Sequence, residues 1–155
     1  MINSCNLKIV LIGDPNVGKT NISNVFIWES YGEEYIPTTK TNVKLKGNSI
    51  GGYPKVQNSM DLYDTPGKET KESFDENTLI HYKEADGIIM CYDITNKETF
   101  QNIKDNWLPK INQYNPECTL IIIGNKYDLE QDRKVSTKEA RVKILIDYMY
   151  AYAVS

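Results

Sequence analysis

The sequence predicts an α/β fold built on a mostly parallel sheet. Three short apolar runs carry that expectation: "LKIVLI" at 7–12, "GIIMCY" at 87–92 and "TLIIIG" at 119–124. Each is rich in β-branched residues and lacks the polar alternation of a half-exposed strand, as expected of strands covered on both faces. The stretches between them carry helical patterning, and alternating strands and helices place ligands at the carboxyl ends of the strands. At 155 residues the chain reads as one domain, 1–155, with no repeat, low-complexity tract or linker to divide it.

The first strand runs into "GDPNVGKT", Gly13 to Thr20, which fits G-x-x-x-x-G-K-[ST] with a strand before and a helix after. In that setting the backbone N–H groups of residues 15–20, Pro15, Asn16, Val17, Gly18, Lys19 and Thr20, are expected to converge on phosphate, and the helix presents its positive end. Lys19 reaches the β- and γ-phosphates, and the Thr20 hydroxyl is a ligand for Mg²⁺. The sequon Asn21-Ile22-Ser23 falls inside that helix and is disregarded.

Residues 41–63 read differently. "TNVKLK", the turn-rich "GNSIGGYPK" and "VQNSMDLY" predict a polar hairpin at a sheet edge. It leads into "DTPGKE", 64–69, where an acid, a hydroxyl, a proline and a glycine suggest a loop that meets a charged ligand. The strand at 87–92 is followed by "ETFQNIKDNWLPKI", with Phe100, Ile103, Trp107, Leu108 and Ile111 at helical spacing. His81 and Trp107 have no chemical partner in sequence and read as helix surface and helix core. The strand at 119–124 enters "NKYD", Asn125 to Asp128. A carboxylate at 128 accepts from both N1–H and N2–H₂ of guanine, donors that adenine lacks. "STKEARVKILIDYM" opens with Ser136 three residues before Glu139, the pattern of a capping box.

Composition narrows the function classes. The formal charge of −3 and pI near 5.2 leave no electrostatic footprint for nucleic acid. No run approaches a membrane span, and "MINSCNLK" is not a signal peptide. Cys5, Cys91 and Cys118 have no paired spacing, which suits reduced thiols and a cytoplasmic address. Lysines outnumber arginines by 16 to two, Arg133 and Arg141. A kinase acting on a small acceptor would surround the moving phosphate with several arginines, so this count speaks against one.

"GDPNVGKT", "DTPG" and "NKYD", in that order, resemble the signature elements of Ras-superfamily small GTPases. "ADGIIMCYDITNKETFQNIKDNWLPKI" and "IIIGNKYDLEQDRKVSTKEA" are most similar to the Rab branch. The resemblance runs from Leu7 to the end of the chain. It implies a P-loop NTPase fold of the small G-domain type: a mostly parallel six-stranded sheet, one antiparallel edge strand and helices on both faces. It also implies a Rab-like guanine-nucleotide switch that binds GTP and GDP with Mg²⁺, hydrolyses GTP and serves vesicle traffic. By position, Thr38 would ligate Mg²⁺ and sense the γ-phosphate, Tyr35 would cover that phosphate, and Tyr31 would flank the guanine. Asp64 would hold Mg²⁺ through water, and the Gly67 N–H would meet the γ-phosphate. Asn125 would tie the base loop to the phosphate loop, Lys126 would lie along the guanine, and Ser155 would open the last base-binding element. Effectors, exchange factors and GTPase-activating proteins would read residues 31–45 and 64–82.

Three departures from the family stand out. Lys68 occupies the place where most relatives have a glutamine that positions the attacking water; lysine donates but cannot accept. It either brakes hydrolysis or brings its ammonium to the γ-phosphate. Pro66 fixes φ and removes an N–H near the start of the second switch. Measured against the family, the chain ends at Ser155 before the final helix, which implies exposed apolar sheet surface and no lipidated cysteine. Peripheral membrane attachment would then require a lipidated tail beyond this chain. The alternative function is an interaction module with negligible hydrolysis, set by nucleotide exchange alone.

Overall fold

The computed structural model describes residues 5–28, 40–48, 58–67 and 76–141. Strand β1 (Cys5–Ile12) leads through the glycine loop to helix α1 (Lys19–Trp28). Strands β2 (Asn42–Asn48) and β3 (Asn58–Asp64) follow, then α2 (Glu76–Lys83) and β4 (Gly87–Asp93). Helix α3 (Lys97–Asn102) passes through a π-helical turn (Ile103–Trp107) into α4 (Leu108–Tyr114). Strand β5 (Thr119–Asn125) and a 3₁₀ segment (Tyr127–Asp132) complete the series.

The sheet order is β2-β3-β1-β4-β5. Among the described strands only the β2–β3 pair is antiparallel, as the hairpin pattern predicts; β1 pairs in parallel with β3 and β4, and β4 with β5. Five strands lie among the described residues, and the sixth expected strand falls outside them. The α/β class, the parallel centre and the antiparallel edge therefore match the sequence expectation.

Val10, Leu11 and Ile12 are fully buried, yet they serve two cores. Val10 and Ile12 face the larger one, with Met90 and Tyr92 of β4, Tyr82 of α2, and Phe100, Ile103, Trp107 and Ile111. Leu11 faces the smaller one, with Val17, Leu62 and Cys91, against which Ile22 of α1 packs. This is the period-two geometry of a strand buried on both faces. Burial pushes the Cys91 thiol up to about 12, in keeping with an inert core cysteine.

Strand β5 departs from the same expectation. Its residues alternate between exposed and half-buried, and Ile121 is 52% exposed. Among the described residues β5 is an edge strand, packed on the face that carries Leu120 and Ile122. On the other face Ile121 borders an apolar groove of about 400 Å³, with Leu7, Ile9, Met60 and Phe26 of α1 along its walls.

The π turn has a local cause. Pro109, at the start of α4, has no N–H for the preceding turn, and its ring would clash with the carbonyl four residues earlier. The Leu108 N–H instead reaches back five residues to the Ile103 carbonyl. Widening one turn lets the adjacent Trp107 and Leu108 both enter the core, at 3% and 7% exposure. Asn96 caps α3 by accepting from the Glu98 N–H at 3.1 Å. Ser136 accepts from the Glu139 N–H at 3.1 Å, the capping contact that its spacing predicts.

On α2, His81 is half-buried and stacks on Tyr63 of β3, ring centroids 4.5 Å apart. The Lys8 ammonium lies 4.7 Å from the same tyrosine ring and pairs with Glu84 at 2.8 Å. Burial and the Lys8 charge lower the His81 pKa against the opposing pull of Glu84. Because the folded pKa lies below the unfolded value, the contribution of His81 is complete above about pH 6.5 and is lost as pH falls through that value. The melting temperature of His81→Gln should therefore change less than that of wild type between about pH 7.5 and 5.5. Equal slopes in the two proteins would remove His81 as the source.

Candidate functional site

Four strand ends meet at one edge of the sheet. The loop after β1 supplies Gly13–Gly18, β3 ends at Asp64, β4 at Asp93 and β5 at Asn125. Parallel pairing sets Leu11 opposite Asp64 and Asp93 opposite Asn125, so these residues converge although they lie far apart in the chain.

The loop turns tightly on left-handed residues. Gly18 has φ +92°, and a Cβ there would lie 2.2 Å from the Asn125 amide nitrogen. Asn16 also has positive φ, a conformation asparagine tolerates better than most residues. Lys19 is buried, and its ammonium donates to the carbonyls of Gly13 and Asp14, both at 2.8 Å. Gly67, φ +76°, closes over the loop: a Cβ on it would meet Lys19 Nζ at 2.3 Å and the Gly13 carbonyl at 2.6 Å. The loop N–H groups from Asn16 onward, the N-terminus of α1 and this ammonium form a cradle for a polyanion. Pro15 needs a correction here: it is an exposed part of the loop but has no N–H, so it shapes the cradle without donating.

Beside the cradle is a pair of oxygens suited to a divalent cation. Thr20 Oγ1 donates to Asp64 Oδ2 at 2.7 Å. Asp64 is fully buried, and among the described residues its Oδ1 has no hydrogen-bond partner. Burial raises the Asp64 pKa, opposed by the Thr20 bond and by the charges of Lys44 and Lys19. An orphaned carboxylate oxygen beside a hydroxyl fits Mg²⁺, which uses one or two protein oxygens together with substrate phosphates. Among the described residues there is no cluster of three or more His, Cys, Asp or Glu side chains that could hold a metal ion. Lys44 of β2 bonds Ser23 Oγ and Asn24 Oδ1 of α1, fastening the edge strand to the helix that begins in the cradle.

The third part of the site is the loop after β5. Asn125 Nδ2 donates to the Val17 carbonyl at 2.9 Å, joining this loop to the phosphate loop. Lys126, with φ +66°, bonds Asp93 at 2.7 Å. Burial alone would raise the Asp93 pKa, but bonds from Lys126 and Thr95 outweigh it and hold the carboxyl below its ordinary range. Asp128 is exposed in the following 3₁₀ segment, available to a ligand.

Of the residues singled out by sequence, the structure brings together Asn16, Val17, Gly18, Lys19, Thr20, Asp64, Gly67, Asn125 and Lys126. Tyr31, Tyr35, Thr38, Lys68 and Ser155 lie outside the described residues. Asp93 and Lys44 were missed. An acid closing the strand "GIIMCYD" was the available signal for Asp93; nothing local marks Lys44. Trp107 is core as expected, but it also has a polar partner, Asp14, which the sequence did not reveal.

Replacing Asp64 with asparagine should raise the melting temperature of the metal-free, ligand-free protein at neutral pH. The change relieves a buried anionic oxygen, a cost of about 1–3 kcal/mol. Because the folded pKa is raised, the advantage should shrink as acid protonates wild-type Asp64. Scanning calorimetry at several pH values tests this; a destabilised Asp64→Asn protein at pH 7 would contradict it.

Comparison with known proteins agrees with this geometry. The Ras family model matches residues 8–152. Over 140 residues, 88% of this chain and 66% of the relative, the sequence is 30% identical to the Rho-related GTP-binding protein RhoB of Homo sapiens. Over 134 residues, 85% of this chain and 60% of the relative, it is 39% identical to the Ras-related protein RABC2a of Arabidopsis thaliana. The chain thus spans just under two thirds of the length of the curated relatives it matches. With the family model covering nearly the whole chain, and the phosphate loop, the buried aspartate and the N-K-x-D loop gathered at one sheet edge, this protein is a member of the Ras family.

Proposed function

We propose that this chain is a guanine-nucleotide switch that binds GTP and GDP with Mg²⁺ and hydrolyses GTP slowly. The observation that carries the reading is the bond from Asn125 to the Val17 carbonyl. It makes the base-reading loop and the phosphate cradle a single unit, so a ligand must satisfy both ends together. Asp128 reads the N1–H and N2–H₂ edge of guanine, and Lys126, braced by Asp93, lies along the base. Tyr31 flanks the base from the other side, and Ser155 opens the remaining part of its pocket.

At the phosphate end Lys19 leaves the Gly13 and Asp14 carbonyls for the β- and γ-phosphates, and the N–H groups from Asn16 to Thr20 bind the rest. Thr20, Asp64 and Thr38 would hold Mg²⁺, which supplies charge neutralisation between the phosphates. Tyr35 covers the γ-phosphate, and the Gly67 N–H touches it. Contact with the γ-phosphate orders residues 31–45 and 64–82, and effectors, exchange factors and activating proteins read that order.

Hydrolysis is the weak part of the apparatus. Lys68 cannot both donate to and accept from an attacking water. Arg133 cannot serve as an internal finger, since it is tied to Glu130 at 2.7–2.8 Å and to the Val135 carbonyl at 2.9 Å. Resemblance to RABC2a supports a Rab-like role in vesicle traffic, with the protein cytoplasmic and peripheral to membranes if a lipidated tail is present. No described helix is long and apolar enough to cross a bilayer.

Two measurements test this reading. Single-turnover GTP hydrolysis with Mg²⁺ and no partner should run below about 10⁻⁴ s⁻¹ and accelerate in Lys68→Gln. A wild-type rate at or above that scale, lost in Lys68→Gln, would instead make the lysine part of the catalytic apparatus. A wild-type rate of essentially zero would favour an exchange-set binding module. For specificity, wild type should prefer GDP over inosine diphosphate, which lacks the N2 amine, by at least about tenfold, and Asp128→Ala should lose most of that preference. Equal discrimination in both proteins would place the base elsewhere.

A further inference from the structure

Asp14, the second residue of the glycine loop, is held from two sides. Its Oδ1 accepts from the Trp107 indole N–H at 2.9 Å and its Oδ2 from the Asn102 amide at 2.7 Å. Asn106 donates to the Asn102 carbonyl oxygen at 2.9 Å, which fixes the orientation of that amide. The backbone carbonyl of Asp14 accepts from Lys19 at 2.8 Å. The side chain is thus anchored to the helix beyond β4, while the main chain is held by the lysine that a phosphate would draw away.

The π turn makes this possible. In a regular helix, residues five apart point about 140° away from each other. Asn102 and Trp107 are five apart, and the turn between them closes with a five-residue bond, Leu108 N–H to the Ile103 carbonyl. Widening the turn brings residues five apart closer to one face than a regular helix would, and both side chains reach one carboxylate. Trp107 is itself buried in the larger core, at 3% exposure.

We propose that Asn102 and Trp107 are positioning residues for nucleotide phosphates, holding Asp14 so that the loop stays open and lined with donors after Lys19 leaves it. The proposal rests on the guanine-nucleotide reading above. Its consequences fall on the phosphate end of the ligand and leave base selection untouched. It also makes Trp107 a reporter of the loop, since its indole N–H sits on the residue whose carbonyl the lysine releases.

The test is release of a fluorescent GDP analogue from the full chain, compared among wild type, Trp107→Phe, Asn102→Ala, Asp14→Ala and the Asp14→Ala/Trp107→Phe double variant. Losing one bond to a charged acceptor should speed release about tenfold in Trp107→Phe and similarly in Asn102→Ala. In the Asp14→Ala background Trp107→Phe should add less than twofold, and the preference for GDP over inosine diphosphate should be unchanged throughout. The wild-type Trp107 indole N–H resonance should shift when GDP is removed. Release within twofold of wild type in both single variants would overturn the proposal. So would a Trp107→Phe effect that persists in full without Asp14, which would mark a packing role. Failure of wild type to bind any guanine nucleotide would overturn the functional reading itself, a result distinct from normal wild-type binding with unaffected variants.

Discussion

Everything at the site depends on the parallel alignment of β1, β3, β4 and β5. Parallel strands require crossover connections, and each crossover returns the chain so that its next strand ends at the same edge. Leu11 pairs with Asp64, Ile12 with Met90 and Asp93 with Asn125, so one rim of a single sheet carries the glycine loop, the buried acid, the bracing acid and the N-K-x-D loop. The two cores exist to hold that rim still. Val10 and Ile12 on one face and Leu11 on the other lock β1 in register from both sides. A one-residue slip would exchange these faces and carry the loop with them.

The rim contains more buried charge than a core would tolerate without pairing. Lys19 is satisfied by two carbonyls, Asp93 by Lys126 and two contacts from Thr95, and Asp64 by Thr20 on one oxygen alone. Among the described residues one Asp64 oxygen thus stays without a hydrogen-bond partner, while the Lys19 ammonium rests on backbone carbonyls. An anionic ligand accompanied by a divalent cation would answer both at once. The glycines at 18 and 67 leave room for it, because a Cβ at either place would collide with Asn125 or with Lys19.

Irregularities in the helices serve this arrangement. Pro109 disturbs the helix after α3, and the resulting π turn both completes the core and directs Asn102 and Trp107 to Asp14. Lys44 fastens β2 to α1 at Ser23 and Asn24, and Asn115 ties the end of α2 to that of α4 through the Tyr82 and Ala85 carbonyls.

The sequence by itself determined the α/β class, the glycine loop and the N-K-x-D motif, because these are local: a glycine turn between a strand and a helix needs only neighbouring residues to state its backbone. It also determined which residues enter the larger core, since Phe100, Ile103, Trp107 and Ile111 declare one face of a helix through their spacing. The tertiary structure alone decided the pairings across the chain. Asp14 with Trp107, Lys126 with Asp93, Asn125 with Val17 and Lys44 with α1 join residues from about 20 to more than 90 positions apart. No local pattern encodes them; they follow from strand order and register. The same reason explains Ile121, whose run reads like a strand buried on both faces but whose neighbours among the described residues leave one side open.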